Sequence, residues 1–161
     1  MKNLFTKFLV LVVLFLFVGG CSSTDTVKKD AENLKKTITD VQSESGKKLR
    51  ELEDKLADSS NYTKDETIAM WEDMKSEYEK SVQKIKEFKP ESTEVKALQT
   101  TVAEAYQKAA DSLQSSIDEA KASSDDDASD LSDKAQSTYQ TILNAINTAQ
   151  EALEKLITSK K

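Results

Sequence analysis

The side chain most suited to covalent chemistry is that of Cys21, the only cysteine of the chain. It directly follows two glycines and an uninterrupted apolar run at 8–18. A lone cysteine can be a buried apolar side chain, a free thiol, half of an intermolecular disulfide, or a site of covalent attachment. Lys2 and Lys7 precede the apolar run, which gives the basic start, apolar centre and small-residue end of an export signal. The run has eleven residues, whereas a spanning helix needs about 20. These surroundings favour covalent attachment at the end of a cleaved signal over a place in a core.

The residues around the cysteine carry one specific resemblance. Val18-Gly19-Gly20-Cys21 resembles the lipobox of bacterial lipoproteins. The resemblance implies that a diacylglycerol is attached to the sulfur of Cys21 and that the signal is cut between Gly20 and Cys21. Each buried CH₂ contributes about 0.8 kcal/mol, so two or three acyl chains, such as palmitate, would hold the protein firmly to a membrane.

This resemblance divides the chain and predicts where the protein acts. Residues 1–20 are expected to be the signal peptide, 21–25 the lipidated N-terminus with a short tether, and 26–161 a folded domain. The expected location is the extracytoplasmic face of the cell membrane. Ser22 after the cysteine is also compatible with the outer membrane if the source cell has two membranes.

The composition of the mature chain limits its partners. Removal of residues 1–20 takes away two lysines and no acid, leaving 21 basic against 29 acidic side chains and a net charge of −8. Nucleic acids and anionic headgroups recruit basic patches, so this balance argues against both, and we expect no nucleic-acid partner. The mature part contains one proline, Pro90, and one glycine, Gly46. Because residues that favour tight turns are so rare, the composition predicts a mostly helical protein.

The sequence lacks the histidine that many catalytic and metal-binding arrangements require. The chain has no histidine, which removes the usual Ser–His and Cys–His nucleophile pairs and the Glu-x-x-His ligands of two-metal bundles. Zinc would lack a soft ligand if Cys21 is lipidated. The remaining carboxylates fall between the apolar stripe positions, where we expect them to be solvated. We therefore expect neither an enzyme nor a bound cofactor.

An acidic cluster is the one candidate metal site. Compared with a calcium-binding loop, this cluster has Asp130 at the position that requires glycine and Gln136 at the position of the bidentate glutamate. The acids suit the N-terminus of a helix, whose dipole favours negative charge. We therefore predict capping and solvation rather than metal binding for Asp125, Asp126, Asp127, Asp130 and Asp133.

Apolar residues at three- and four-residue spacing predict four amphipathic helices, at about 26–57, 64–88, 92–122 and 128–158. Their similar lengths and short connections favour an up-down-up-down four-helix bundle, an all-α fold. In the alternative arrangement the first segment does not pack with the other helices and extends from them as a stalk. Thr63 and Glu66 form a capping-box pattern at the second helix, and Pro90 is expected to stop that helix.

The first helix has an irregular apolar stripe. After Val41, Ser45 takes a stripe position and the next apolar residue is Leu49, which is a stutter of the coiled-coil type. The stutter coincides with Gly46, which costs about 1 kcal/mol relative to alanine inside a helix. We expect a bend near Ser45 and Gly46, or a complete break.

Aromatic residues lie on or beside the stripes, where they could line a ligand pocket. Packing in the core is the preferred interpretation, because aromatic side chains supply large buried areas where helices meet. It applies to Trp71, Tyr78, Phe88, Tyr106 and Tyr139.

Three functions remain for a chain of this kind. The first is a non-catalytic binding or scaffold module that presents a helical face to an envelope or extracellular protein. The second is a small-ligand binder that holds an apolar molecule in the bundle core. The third is a spacer between membrane and cell wall, because the terminal Lys161 resembles the lysine that joins murein lipoproteins to peptidoglycan.

Overall fold

The described part of the protein is entirely helical. The computed structural model describes residues 23–57, 62–122 and 129–158. Within these ranges there are four α-helices and no strand, which confirms the all-α prediction. The helices are α1 (Thr24–Ala57), α2 (Lys64–Glu87), α3 (Thr93–Ala122) and α4 (Ser129–Thr158).

Helix α1 is continuous through its glycine. It runs for 34 residues, and Gly46 lies inside it, so the break considered from the sequence does not occur. Ser45 occupies the position of the apolar stripe between Val41 and Leu49, and it is buried there although it is polar. A Cβ added at Gly46 would meet no atom within 4 Å. Packing therefore does not require a glycine at this position.

Helix α2 begins and ends on local signals. The backbone N–H of Glu66 donates to Thr63 Oγ1 at 3.3 Å, and the N–H of Thr63 donates to Glu66 Oε2 at 2.8 Å, so the predicted capping box is formed. The Thr63 hydroxyl also donates to Glu66 Oε2 at 2.8 Å, and the hydrogen bonds that the backbone N–H and the hydroxyl of Thr63 donate to this carboxylate lower the pKa of Glu66 below its ordinary value. At the other end Phe88 is extended, with φ −64° and ψ 133°, two residues before Pro90.

A single hydrophobic core joins the four helices. Helix α3 packs most extensively against α2, and α1 packs against both α2 and α4. Long stretches of each helix therefore lose apolar surface to water, which is the main source of stability in such a fold. The largest fully buried side chains are Trp71, Tyr78, Leu34, Ile38, Met74, Ile85, Ile117, Ile146, Leu153, Val41, Val95 and Val102.

Candidate functional site

Several of the residues singled out in the sequence lie outside the described residues. These include Cys21 with the proposed cleavage position after Gly20, the aspartates Asp125 to Asp127, and Lys161. Asp130 and Asp133 belong to helix α4, but their side chains are outside the described part. Among the described residues no group of three or more potential ligands is placed to hold a metal ion.

The fold begins almost directly after the cysteine. Ser23 Oγ accepts from the backbone N–H of Thr26 at 3.2 Å, and the Ser23 carbonyl accepts from the N–H of Val27 at 3.1 Å. Ser23 therefore caps α1, which starts at Thr24, about two residues earlier than the sequence suggested. Only Ser22 and the capping serine separate Cys21 from the helix.

The connection between α2 and α3 is held by a carboxylate from α1. Asp30 Oδ2 accepts hydrogen bonds from the backbone N–H groups of Glu91 and Ser92, both at 2.7 Å. Asp30 is only 6 % exposed. Its negative charge lies at the N-terminus of α3, where the helix dipole and the unsatisfied N–H groups favour an anion. A residue of the first helix thus caps the third helix.

The same connection is closed from its other side by Gln99 of α3. Its side-chain amide donates to the carbonyl of Ile85 at 2.7 Å and to the carbonyl of Phe88. Ile85 belongs to the last turn of α2 and Phe88 is its C-cap residue, and carbonyl groups at a helix C-terminus have no partner within their own helix. The connection at 88–92 is therefore fixed to both α1 and α3.

The C-terminal part of α4 lies at the same end of the bundle. Lys35 of α1 forms an ion pair with Glu154 of α4, and the amide of Gln150 donates to Gln42 Oε1 at 2.9 Å. Because Asp30 holds residues 91 and 92, the connection between α2 and α3 and the C-terminal part of α4 both lie beside the first half of α1.

A buried carboxylate joins α1 to α2 nearer the middle of the bundle. Glu77, which is 7 % exposed, accepts from Lys48 Nζ at 3.1 Å and from Lys80 Nζ at 2.8 Å. Burial by itself would raise the pKa of Glu77, but the hydrogen bonds and charges of Lys80 and Lys48 outweigh it and lower the pKa. The same contact raises the pKa of Lys48. A carboxylate held in its charged form in this way is suited to fixing two helices rather than to accepting protons.

The aromatic residues are largely part of the core. Trp71, Tyr78 and Tyr106 are buried, and the rings of Tyr78 and Tyr106 lie 6.2 Å apart at an angle of 53°. Phe88 is partly buried against the core. Core packing is therefore the observed role of these four residues, while the side chain of Tyr139 lies outside the described part.

An open groove lies at the other end of the bundle, where α2 begins and α3 ends. It encloses about 410 Å³ and is lined by Thr63, Lys64, Asp65, Ile68 and Lys121. Lys121 forms an ion pair with Glu72 at 2.7 Å, so its charge is balanced within the protein. Opposite charges and one apolar side chain share the groove, which gives it no strong preference for one class of small ligand.

Comparison with known proteins found no significant similarity to this chain. No protein-family model matches the chain, and neither a curated protein nor a solved structure is significantly similar to it. None of the described helices is both long enough and apolar enough to cross a bilayer.

The residues that sequence reasoning missed include the buried polar ones that hold the connection between α2 and α3. Asp30 and Gln99 both lie beside stripe residues, next to Ala31 and Leu98. A polar residue beside an apolar stripe is the only signal that could have marked them. Their partners lie too far along the chain for any local rule to identify.

Proposed function

We propose that this protein is a membrane-anchored bacterial envelope lipoprotein, held by lipid on Cys21, whose helical bundle serves as a non-catalytic binding or scaffold module. The observation that carries the proposal is the export-type signal that ends in Val18-Gly19-Gly20-Cys21. The early start of α1 supports it, because a bundle that begins at Thr24 would lie directly beside an anchor three residues earlier.

The finer arrangement we propose for the bundle is up-down-up-down. It is supported by the order of contacts along α1, where Glu44 pairs with Lys84 and the later Lys48 pairs with the earlier Glu77 of α2. Lys35 and Gln42 likewise contact α4 in reverse order. Opposite order along two helices is the pattern of antiparallel neighbours.

The proposed role as a binding module follows from what the described surface offers. The ionic groups at Glu77 and Asp30 are used to fix helices to each other, which leaves them unsuited to acid–base chemistry. The outer faces carry exposed charged and amide side chains on rigid helices, and rigid faces of this kind can present a surface to another protein at low entropic cost. An envelope or extracellular protein is the proposed partner.

The intact mass of the native protein, extracted from its own membranes, tests the anchor. We expect a chain that begins at Cys21 and carries a diacylglycerol, and a Cys21→Ser variant that leaves the membrane fraction. A retained Met1, or a Cys21 without lipid, would refute the proposal. The mass of the C-terminal peptide tests the spacer at the same time, because a muropeptide on Lys161 would replace the binding role by a link to the cell wall.

The binding role needs its own measurement in the cell. A photo-reactive residue placed at exposed positions, such as Glu104 of α3 or Lys47 of α1, should yield a discrete cross-linked product in the native envelope. Labelling that is uniformly diffuse from positions on all four helices would argue against a specific protein partner.

A further inference from the structure

Helix α1 has a gap in its buried apolar face near the middle of its length. Val41 and Leu49 are both buried apolar residues, but the one buried side chain between them is that of Ser45. Gly46 follows directly and adds no side chain to the packing. Burial of an apolar face is the main source of stability for a helix in a protein. About two turns of α1 therefore lack this source of stability.

The contacts of α1 with other helices are unevenly divided on the two sides of this gap. The part before the gap caps α3 through Asp30 and is bonded to α4 through Lys35 and Gln42. Beyond the gap, Lys48 is the last described residue of α1 whose side chain is bonded to another helix. We call residues 47–57 of α1 the distal segment.

The polar contact of the distal segment with α2 is weak and can open without leaving a buried charge unpaired. Lys48 donates to Glu77 from a side chain that is 47 % exposed, and ion pairs that water reaches contribute little to stability. When this bond is broken, Glu77 keeps its hydrogen bond from Lys80 at 2.8 Å. Among the described side chains, Leu49 and Leu52 supply the buried apolar contacts of the distal segment.

The distal segment also contains a carboxyl group that is more stable in water than in the packed helix. Glu53 is partly buried, and this burial, with a smaller effect of the charge of Asp54, raises its pKa to about 7 although Arg50 acts in the opposite direction. The charged form of Glu53 is therefore disfavoured in the bundle. Release of the distal segment into water removes this penalty.

The distal segment lies along the first half of α2. Glu44 pairs with Lys84, and Lys48, about one turn later in α1, pairs with Glu77, about two turns earlier in α2. The residues of α1 that follow therefore run towards the part of α2 that contains Trp71. The side chain of Trp71 is completely buried.

We propose that the distal segment opens as a unit about a hinge at Gly46, while the rest of the bundle stays folded. Opening transfers Leu49 and Leu52 to water and uncovers the side of α2 that carries Trp71. The low helix propensity of glycine favours the end of the folded part of α1 at this residue. The hinge does not depend on the proposed lipid anchor, so either can fail without the other.

Native-state hydrogen exchange of the folded protein tests the opening. After correction for intrinsic rates, the backbone amides of 49–53 should exchange at least about ten-fold faster than those of 114–118 in α3. These two stretches lie equally far from the ends of their helices, at Ala57 and Ala122. Fraying of helix ends would therefore affect both stretches alike, and equal exchange rates would overturn the proposal.

A matched pair of variants tests whether the opening reaches the glycine. Gly46→Ala should slow exchange at 49–53 about five-fold, because the opening then also melts a residue of high helix propensity. Lys47→Ala is the control, since lysine and alanine have similar helix propensities, and should change this rate by less than about two-fold. Equal rates at 49–53 in the two variants would overturn the hinge, because the opening would then stop short of residue 46.

A third variant tests the other boundary of the opening. Thr39 is exposed and lies before the gap, so Thr39→Ala raises the helix propensity only in the part of α1 that stays folded. Exchange at 31–41 should slow about two- to three-fold, and exchange at 49–53 should not change. Equal slowing of both stretches would overturn the hinge, because the whole of α1 would then open together.

Discussion

Replacement of Asp30 by alanine should destabilise the bundle more than any exposed acid-to-alanine change on the same helix. The change leaves the N–H groups of Glu91 and Ser92 without their acceptor, and Ser92 is fully buried. Loss of a helix cap costs about 0.5–2 kcal/mol, and a buried donor left unsatisfied costs about 1–3 kcal/mol. Alanine regains up to about 0.7 kcal/mol of helix propensity in α1. We expect a net loss of about 2–3 kcal/mol.

Urea unfolding followed by fluorescence provides the assay. Trp71 is the only tryptophan and is fully buried, so its emission should shift to longer wavelength when the core opens. With a slope of about 2 kcal/mol per molar urea, the midpoint of Asp30→Ala should fall by about 1–1.5 M. Asp30→Asn keeps an oxygen acceptor but loses the charge, and should show an intermediate loss of about 1 kcal/mol.

The exposed Glu32, two residues further along α1, supplies the matched control. Glu32→Ala removes a carboxylate from the same helix and should change the stability by less than about 0.5 kcal/mol. Equal midpoints for Asp30→Ala and Glu32→Ala would refute the reasoning, because they would show that the capping of α3 by α1 contributes nothing measurable.

Three further predictions concern helix α1 and its contact with α2. Gly46→Ala should stabilise the protein by about 1 kcal/mol in the same urea assay, since the added Cβ meets no atom within 4 Å; a loss of stability would show that the glycine is needed for packing. Glu77→Gln should destabilise the protein at pH 7, and the difference should vanish as the pH falls through the lowered pKa of Glu77, because both forms are then uncharged. Burial, and to a lesser extent the charge of Asp54, raises the pKa of Glu53 from 4.5 to about 7. Between these two pH values the Glu53 carboxyl therefore keeps its proton in the folded protein but has lost it in the unfolded chain. The stability of the folded protein should therefore decrease as the pH rises through that interval. Glu53→Gln should be more stable than the wild type at pH 8 but not at pH 4. Equal stability of the variant and the wild type at both pH values would contradict the raised pKa.

Features that depend on neighbours a few residues apart could be predicted from the sequence. The three- and four-residue spacing of apolar side chains gave the four helices to within a few residues at each end. The capping box of Thr63 and Glu66 was predicted for the same reason, since both partners lie within one turn. A break at Gly46 was considered because a stutter in the apolar stripe coincides with the low helix propensity of glycine, yet α1 is continuous and the stripe residues that flank Gly46 are buried.

What the sequence alone determined was therefore the set of helices and their apolar faces, while the export-type signal ending in Cys21 remains a prediction. Only the tertiary structure placed Asp30 on the N–H groups of Glu91 and Ser92, and the amide of Gln99 on the carbonyls that end α2. The physical reason is that periodicity and caps are set by residues within about one helical turn. The partner of a buried polar group is set by which helix ends meet when four apolar faces pack into one core.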